Sequence, residues 1–251
     1  MISVIVPVLN EAENIEPLIS EIVAVAKLAP VKEIVYIDDA STDETPAILK
    51  KMMQDVPMLK VVRHASRCGQ SAAFRTGAAH ASQPLLVFMD GDGQNDPADI
   101  ALLYATYEAN VGEGIMPAVL GQREKRNDNW LRRFSSRTAN KIRASLLKDG
   151  TRDTGCSLKL IPRAAFLELP YFDHMHRFLP ALLQRDGVKL THVDVSHRAR
   201  MRGVSKYGFW GRLSEGVVDL LGVYWLCRRA KPARFAFEEQ SAAEKRKNKA
   251  A

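Results

Sequence analysis

Residues 87–97 read Val-Phe-Met-Asp-Gly-Asp-Gly-Gln-Asn-Asp-Pro, an apolar run that ends in two aspartates one glycine apart, with a glutamine two positions further on. Carboxylates are the hard oxygen donors that Mg²⁺ and Mn²⁺ prefer. Mg²⁺ commonly takes one or two of them and leaves the rest of its shell to water and substrate phosphates. Asp90 and Asp92 on a glycine-softened turn match that requirement, so a divalent cation with a phosphorylated substrate is one reading. An ordinary Asp-Gly turn is the other. Asp96-Pro97 reads as an N-cap followed by the first residue of a new helix.

The elements that must position this turn decide between the two readings. Residues 2–8 form a nearly continuous apolar run, the pattern of a strand buried on both faces. A helix stripe follows at Ile15, Leu18, Ile19, Ile22, Val23 and Ala26. A second strand ends in Asp38-Asp39, and Ser41 with Glu44 spells a capping box for a second helix. Further strands are expected near residues 59–62 and 85–89, with a helix near 70–81 between them. Four strands alternating with three helices imply βαβ units and an α/β fold with a mostly parallel sheet flanked by helices. Ligands bind beyond the carboxyl ends of such strands, where Asp38, Asp39, Asp90 and Asp92 all fall.

Three ordered segments, Val-Pro-Val-Leu-Asn-Glu at 6–11, Asp-Asp-Ala-Ser-Thr-Asp at 38–43 and Met-Asp-Gly-Asp-Gly-Gln at 89–94, resemble glycosyltransferase family 2, the nucleotide-sugar transferases of the GT-A fold. Within it the chain is most similar to the dolichol-phosphate mannose synthase group and its bacterial polyprenyl-phosphate relatives. That narrower likeness rests on Gln94, on Asp153-Thr154-Gly155-Cys156 and on a basic segment ending Gly203-Val204-Ser205-Lys206-Tyr207. The resemblance covers residues 1–212, taken as the catalytic domain, with residues 213–251 an amphipathic helix and a basic tail expected to be disordered after Phe237. It implies a nucleoside-diphosphate sugar donor (GDP or UDP), with Pro7, Asn10 and Glu11 beside the nucleoside and Asp39 near the base or ribose. It places Asp90 on the ribose or metal, and Asp92 and Gln94 on the Mg²⁺ or Mn²⁺ that holds the diphosphate. Asp38 is counted with the nucleotide residues, with local capping the equal alternative, and Glu11 also suits a first helical turn.

Charge is strongly segregated. Residues 1–120 hold 8 basic and 16 acidic residues, and residues 121–251 hold 28 and 13. A basic half suits nucleic acid, an acidic membrane surface or a phosphorylated substrate. Its charges gather around Arg123, Arg133 and Arg137, where apolar Trp130, Phe134, Ile142 and Leu146 recur at about helical spacing, around Arg198, Arg200, Arg202 and Lys206, and in the tail. Guanidiniums grip phosphates through paired N–H donors. Arg123, Arg133, Arg137, Arg200, Arg202 and Lys206 are therefore expected to hold an anionic acceptor, which the resemblance makes a polyprenyl phosphate.

A phosphate monoester is largely dianionic at neutral pH and needs no protein base to act as nucleophile. Asp92 is accordingly the expected catalytic residue through the metal. Asp153 is a second catalytic candidate that equally suits an orienting role, and inversion at the anomeric carbon is what the resemblance implies. Two alternatives remain: a family relative acting on a saccharide or protein hydroxyl, which would need Asp153 or another carboxylate as base, and a non-enzymatic nucleic-acid binder. No Walker or dinucleotide fingerprint and no Gln-x-x-Arg-Trp is present, so a single-transfer enzyme without a nucleic-acid partner is preferred. Three scattered cysteines, with Cys156 read as a small buried residue, point to a reducing compartment. The late apolar run 216–227 is too short to span a bilayer. With Trp210, Tyr224 and Trp225 beside arginines it suits either an interfacial helix or a core-packing one. The expected location is cytoplasmic and peripheral, at the membrane surface or on a membrane-protein partner.

Overall fold

The computed structural model describes residues 1–112, 116–123, 143, 146–198 and 211–230. Its first half alternates β1 (Ile2–Val8), α1 (Ala12–Val25), β2 (Val31–Asp38), α2 (Thr45–Asp55), β3 (Leu59–Arg63), α3 (Gln70–His80), β4 (Leu85–Phe88) and α4 (Asp99–Asn110). The second half adds β5 (Ala118–Arg123), β6 (Lys159–Pro162), α5 (Arg163–Leu167), a 3-10 turn at Met175–Arg177, α6 (Leu179–Arg185), β7 (Leu190–Val195) and α7 (Gly211–Arg229). The strands form one sheet in the order β3-β2-β1-β4-β6-β5-β7. β1 to β4 pair in parallel, β6 runs antiparallel to both β4 and β5, and β5 pairs in parallel with β7.

The alternation of side chains along a strand builds two cores, one per face of the sheet. From β1, Val4, Val6 and Val8 enter the cluster beneath α1 and α4, with Ile15, Leu18, Ile19, Ile22, Ile100 and Leu103. Ile5 points the other way, with Ile37, Phe74, Phe88, Phe166 and Leu182. The α1 stripe is as expected at Ile15, Leu18, Ile19 and Ile22. Val25 completes it, while Val23 and Ala26 pack only partly.

α3 lies close on the sheet because Gly77 has no side chain. A Cβ built there would meet Ile5 Cγ2 at 2.3 Å. Gly77→Ala is therefore expected to destabilise the fold by about 1–3 kcal/mol through overpacking, read as a lower midpoint in urea unfolding at unchanged slope.

The capping box is not formed. Glu44 makes no side-chain cap, and the N–H of Thr45 is taken by Asp43 Oδ1 at 3.0 Å. The hydroxyls of Ser41 and Thr45 are spent elsewhere, accepting from the N–H of Asn10 and Glu11 at 2.9 Å each. Long-range bonding between two loops has displaced the local motif. Asp96 is not the N-cap: α4 begins at Asp99 with Ala98 as its cap residue, and the Asp96 carboxylate instead closes a side-chain turn by accepting from Ala98 N–H at 2.9 Å.

α7 packs one face of the late apolar run on the protein and leaves the other exposed. Val223 is buried, and Leu220, Tyr224 and Cys227 pack on the second core, while Val217, Val218, Leu221 and Trp225 stay exposed. It is a docked helix with an apolar outer face. Among the described residues no helix is long and apolar enough to cross a membrane. Trp130, Phe134 and Ile142 lie outside the described residues, as do Arg133, Arg137, Arg200, Arg202, Lys206, Trp210 and the tail after Phe237.

Candidate active site

Three loops meet at the carboxyl edge of the parallel strands. After β1 and β2 the loops are laced together: Asn10 Oδ1 accepts from Thr42 N–H at 2.7 Å, Asn10 N–H donates to Ser41 Oγ, and Ala12 N–H lies 3.4 Å from Asp43 Oδ2. Asn10 and Ala40 hold left-handed backbone, with φ of 52° and 63°, to make the two turns. Pro7 occupies the strand position opposite Ile37, one residue before β1 ends. Glu11 Oε2 accepts from Asn14 in the first turn of α1.

Asp38 and Asp39 point into the protein rather than the open edge. Asp38 Oδ1 accepts from Ser41 N–H at 2.8 Å, and its Oδ2 lies 3.1 Å from Arg63 Nε. Asp39 accepts from Cys68 N–H and Gly69 N–H, both at 2.8 Å, and lies 2.7 Å from His64 Nδ1. Burial alone would raise this carboxyl, but the bonds from His64 and the two amides hold it below the ordinary value. Asp39, His64 and Cys68 bring potential metal donors within 4.8 Å of one another. The Asp39 oxygens are nonetheless committed to these donors, so the group serves as a hydrogen-bonded brace for the turn into α3.

The turn after β4 carries the acidic pair. Asp90 is half-buried, fixed by Gln70 Nε2 at 2.7 Å on Oδ1 and by its own N–H donating to Asn95 Oδ1 at 3.0 Å. Asn95 Oδ1 also accepts from Ser157. Asp92 Oδ1 accepts from Gln94 N–H at 3.1 Å, closing a short side-chain turn. Gly91 is needed because a Cβ would meet Val8 Cγ1 at 2.4 Å and the Pro7 carbonyl at 3.0 Å. Gly93, at φ 74°, supplies the reversal.

Burial, and then the charge of Asp92, push the Asp90 carboxyl up to about 6, against the opposing pull of Ser157, Lys159 and Arg123. Two carboxylates close enough to repel, beside an amide oxygen donor at Gln94, form a set of hard donors whose excess negative charge a divalent cation would relieve. The residues therefore fit Mg²⁺ or Mn²⁺. The linked prediction follows in sign. Asp90 is raised in the folded state, so its ionisation costs stability as pH rises from about 4 through 6, and an ion binding the ionised pair restores it. With UDP present, Mn²⁺ is expected to raise Tm clearly at pH 7.5 and little at pH 5, by differential scanning fluorimetry.

Arg123 and Asp153, read separately as an acceptor ligand and a catalytic carboxylate, form one ion pair. Arg123 Nε and Nη2 donate to the two oxygens of Asp153 at 2.5 and 2.8 Å, both side chains being nearly buried. Lys159, at 3% exposure, sends its ammonium to the Cys156 carbonyl and lies within electrostatic reach of Asp90 and Asp153, where burial lowers its affinity for a proton. Cys156 is buried, and burial pushes its thiol up, away from nucleophilic use. Gln70, Asn95 and Lys159 were not singled out from the sequence. Lys159 alone left a signal there, as a charge inside the apolar run Leu158-Lys159-Leu160-Ile161.

A mostly parallel seven-stranded sheet flanked by helices, with an acidic pair at its carboxyl edge, is shared with the GT-A glycosyltransferases. The chain belongs to that class through glycosyl transferase family 2, whose family profile matches residues 3–169. It is 33% identical over 242 residues to the dodecaprenyl-phosphate galacturonate synthase of Rhizobium johnstonii, covering 93% of this chain and 70% of that protein. It is 31% identical over 222 residues to the undecaprenyl-phosphate 4-deoxy-4-formamido-L-arabinose transferase of an Enterobacter species, covering 88% of this chain and 66% of the relative. The same fold is found in glucosyl-3-phosphoglycerate synthase from Mycobacterium tuberculosis, solved with Mn²⁺ and UDP-glucose, with a TM-score of 0.65, 21% identity, and 89% of this chain and 78% of that one covered.

Proposed function

We propose that the protein transfers a sugar, with inversion, from a nucleoside-diphosphate sugar to a polyprenyl phosphate, with Mg²⁺ or Mn²⁺ held by Asp90, Asp92 and Gln94. The observation that carries this reading is the repelling pair Asp90 and Asp92 at the carboxyl edge, in a chain whose relatives are named for polyprenyl-phosphate acceptors. When bound, the ion neutralises the diphosphate and lets it leave. Pro7, Asn10, Glu11, Asp38, Asp39 and Asp90 shape the nucleoside side. Asn10, Asp38 and Asp39 do so chiefly by holding the rim, to judge from their bonds.

An oxygen of the acceptor phosphate forms the new bond to the anomeric carbon while the bond from that carbon to the diphosphate breaks. The residues' task is positioning and charge cancellation. Arg123, Arg133, Arg137, Arg200, Arg202 and Lys206 are the cations assigned to the acceptor. Arg123 would have to share its fork with Asp153 to take part. A carboxylate gripped at both oxygens by a guanidinium is better suited to orienting a neighbour than to taking a proton, which favours a phosphate acceptor over a hydroxyl.

The exposed face of α7, with Val217, Val218, Leu221 and Trp225 above Arg228 and Arg229, is assigned to the cytoplasmic membrane surface. Leu221→Glu with Trp225→Glu is expected to cut co-sedimentation with phosphatidylglycerol vesicles at least about fivefold while leaving Tm within a few degrees. The transfer itself is tested by incubating the protein and Mn²⁺ with a panel of UDP- and GDP-sugars and a polyprenyl phosphate, followed by mass spectrometry of the lipid fraction. Absence of a glycosylated lipid phosphate from every donor would overturn the reading.

A further inference from the structure

Beyond β7 the chain turns back across the acidic loop, and residues 196, 197 and 198 fasten it to that loop and to the first residue of α4. Ser196 N–H donates to Asp99 Oδ2 at 2.7 Å, His197 and Asn95 form an isolated antiparallel bridge, and Arg198 N–H donates to the Gln94 carbonyl at 2.9 Å. The Arg198 guanidinium then spans two separate elements. Nη1 donates to Glu21 Oε2 on α1 at 2.7 Å, and Nη2 lies 2.8 Å from Asp96 Oδ1 in the loop. Arg198 also lines a small recess together with Asp92, Gly93, Glu21 and Leu18. An exposed ion pair is worth little by itself, and this side chain is 39% exposed. Its leverage is geometric, because one planar fork joins the loop to a rigid helix while the same residue's amide holds the carbonyl of Gln94.

We propose that Arg198 is a positioning residue for the metal: it clamps residues 94–96 against α1 and so sets where Asp92 and Gln94 stand, without itself binding phosphate. The proposal rests on the metal assignment above and names a role that the basic-cluster reading of the sequence did not. A lysine could satisfy only one limb of the clamp at a time, since it lacks the fork. Glu21→Gln removes the charge of the other anchor from outside the loop.

The test is Mn²⁺ titrated into the full chain with UDP present, read by loss of the free-ion electron paramagnetic resonance signal, for the wild type, Arg198→Ala, Arg198→Lys, Glu21→Gln and Asp92→Ala. Expected is about tenfold weaker Mn²⁺ binding in Arg198→Ala, equivalent to about 1.4 kcal/mol, with Arg198→Lys and Glu21→Gln in between. In transfer assays the Mn²⁺ requirement should rise by the same factor while kcat at saturating Mn²⁺ changes less than about threefold. A purely structural residue would lower Tm without that split. Binding that Asp92→Ala abolishes but Arg198→Ala leaves at the wild-type value would overturn this proposal alone. Binding that Asp92→Ala leaves intact would overturn the metal assignment and this inference with it. Should Arg198→Ala not fold, Glu21→Gln carries the test, and a wild-type titration from it counts against the clamp.

Discussion

Asp92→Ala is expected to lower kcat/KM for sugar transfer by at least about 10³-fold, a loss of about 4 kcal/mol of transition-state stabilisation. Asp92 Oδ1 closes a turn onto Gln94 N–H in a half-exposed loop, and the carboxylate repels Asp90. Removing it relieves a like-charge contact, so Tm is expected to stay within about 2 °C of the wild type or rise slightly. What is lost is one of the hard oxygen donors assigned to the ion on the diphosphate. Steady-state kinetics at saturating Mn²⁺, paired with a melting curve, separate the two effects. A fully active variant would remove the basis of the metal assignment.

Asp39→Ala should behave in the opposite way, with stability falling first. The wild-type carboxylate is 5% exposed and collects two main-chain amides, from Cys68 and Gly69, together with His64. Deleting it strands those donors at the entrance to α3, at a cost of about 2–4 kcal/mol. The pH dependence has a definite sign. This carboxyl is held below its ordinary value in the folded protein, so its stabilisation is complete above the unfolded value of about 3.9 and is lost as pH falls through the lower folded value. Urea unfolding at pH 7 should show the full difference between wild type and variant. The gap should narrow only at pH 4 and below, and a gap that is constant down to pH 3 would mean that the charge of Asp39 is unimportant to the turn.

The left half of the sheet was legible because each strand and helix there carries its own period: Ile2 to Val8 for a doubly buried strand, Ile15 to Ile22 for one helical face. The acidic turn was legible for the same reason, since an apolar strand can only deliver Asp90 and Asp92 to its carboxyl end. What stayed hidden were partners that meet across long stretches of chain. Arg123 and Asp153 are 30 residues apart, and each looked like an independent functional group. Gln70, 20 residues before Asp90, looked like an ordinary first residue of a helix. The capping box failed because Ser41 had a better use 31 residues away, on the amide of Asn10. Local pattern identified where chemistry would gather, and tertiary hydrogen bonding decided which polar groups hold the frame.

The lacing of Asn10 to Thr42 and of Glu11 to Thr45 has a thermodynamic corollary for ligand capture. A socket whose turns are already stitched to each other has few torsions left to freeze when the proposed nucleotide donor binds. Most of the ordering penalty then falls on the guest's own rotatable bonds, and stiff, compact nucleotides should gain disproportionately in residence time.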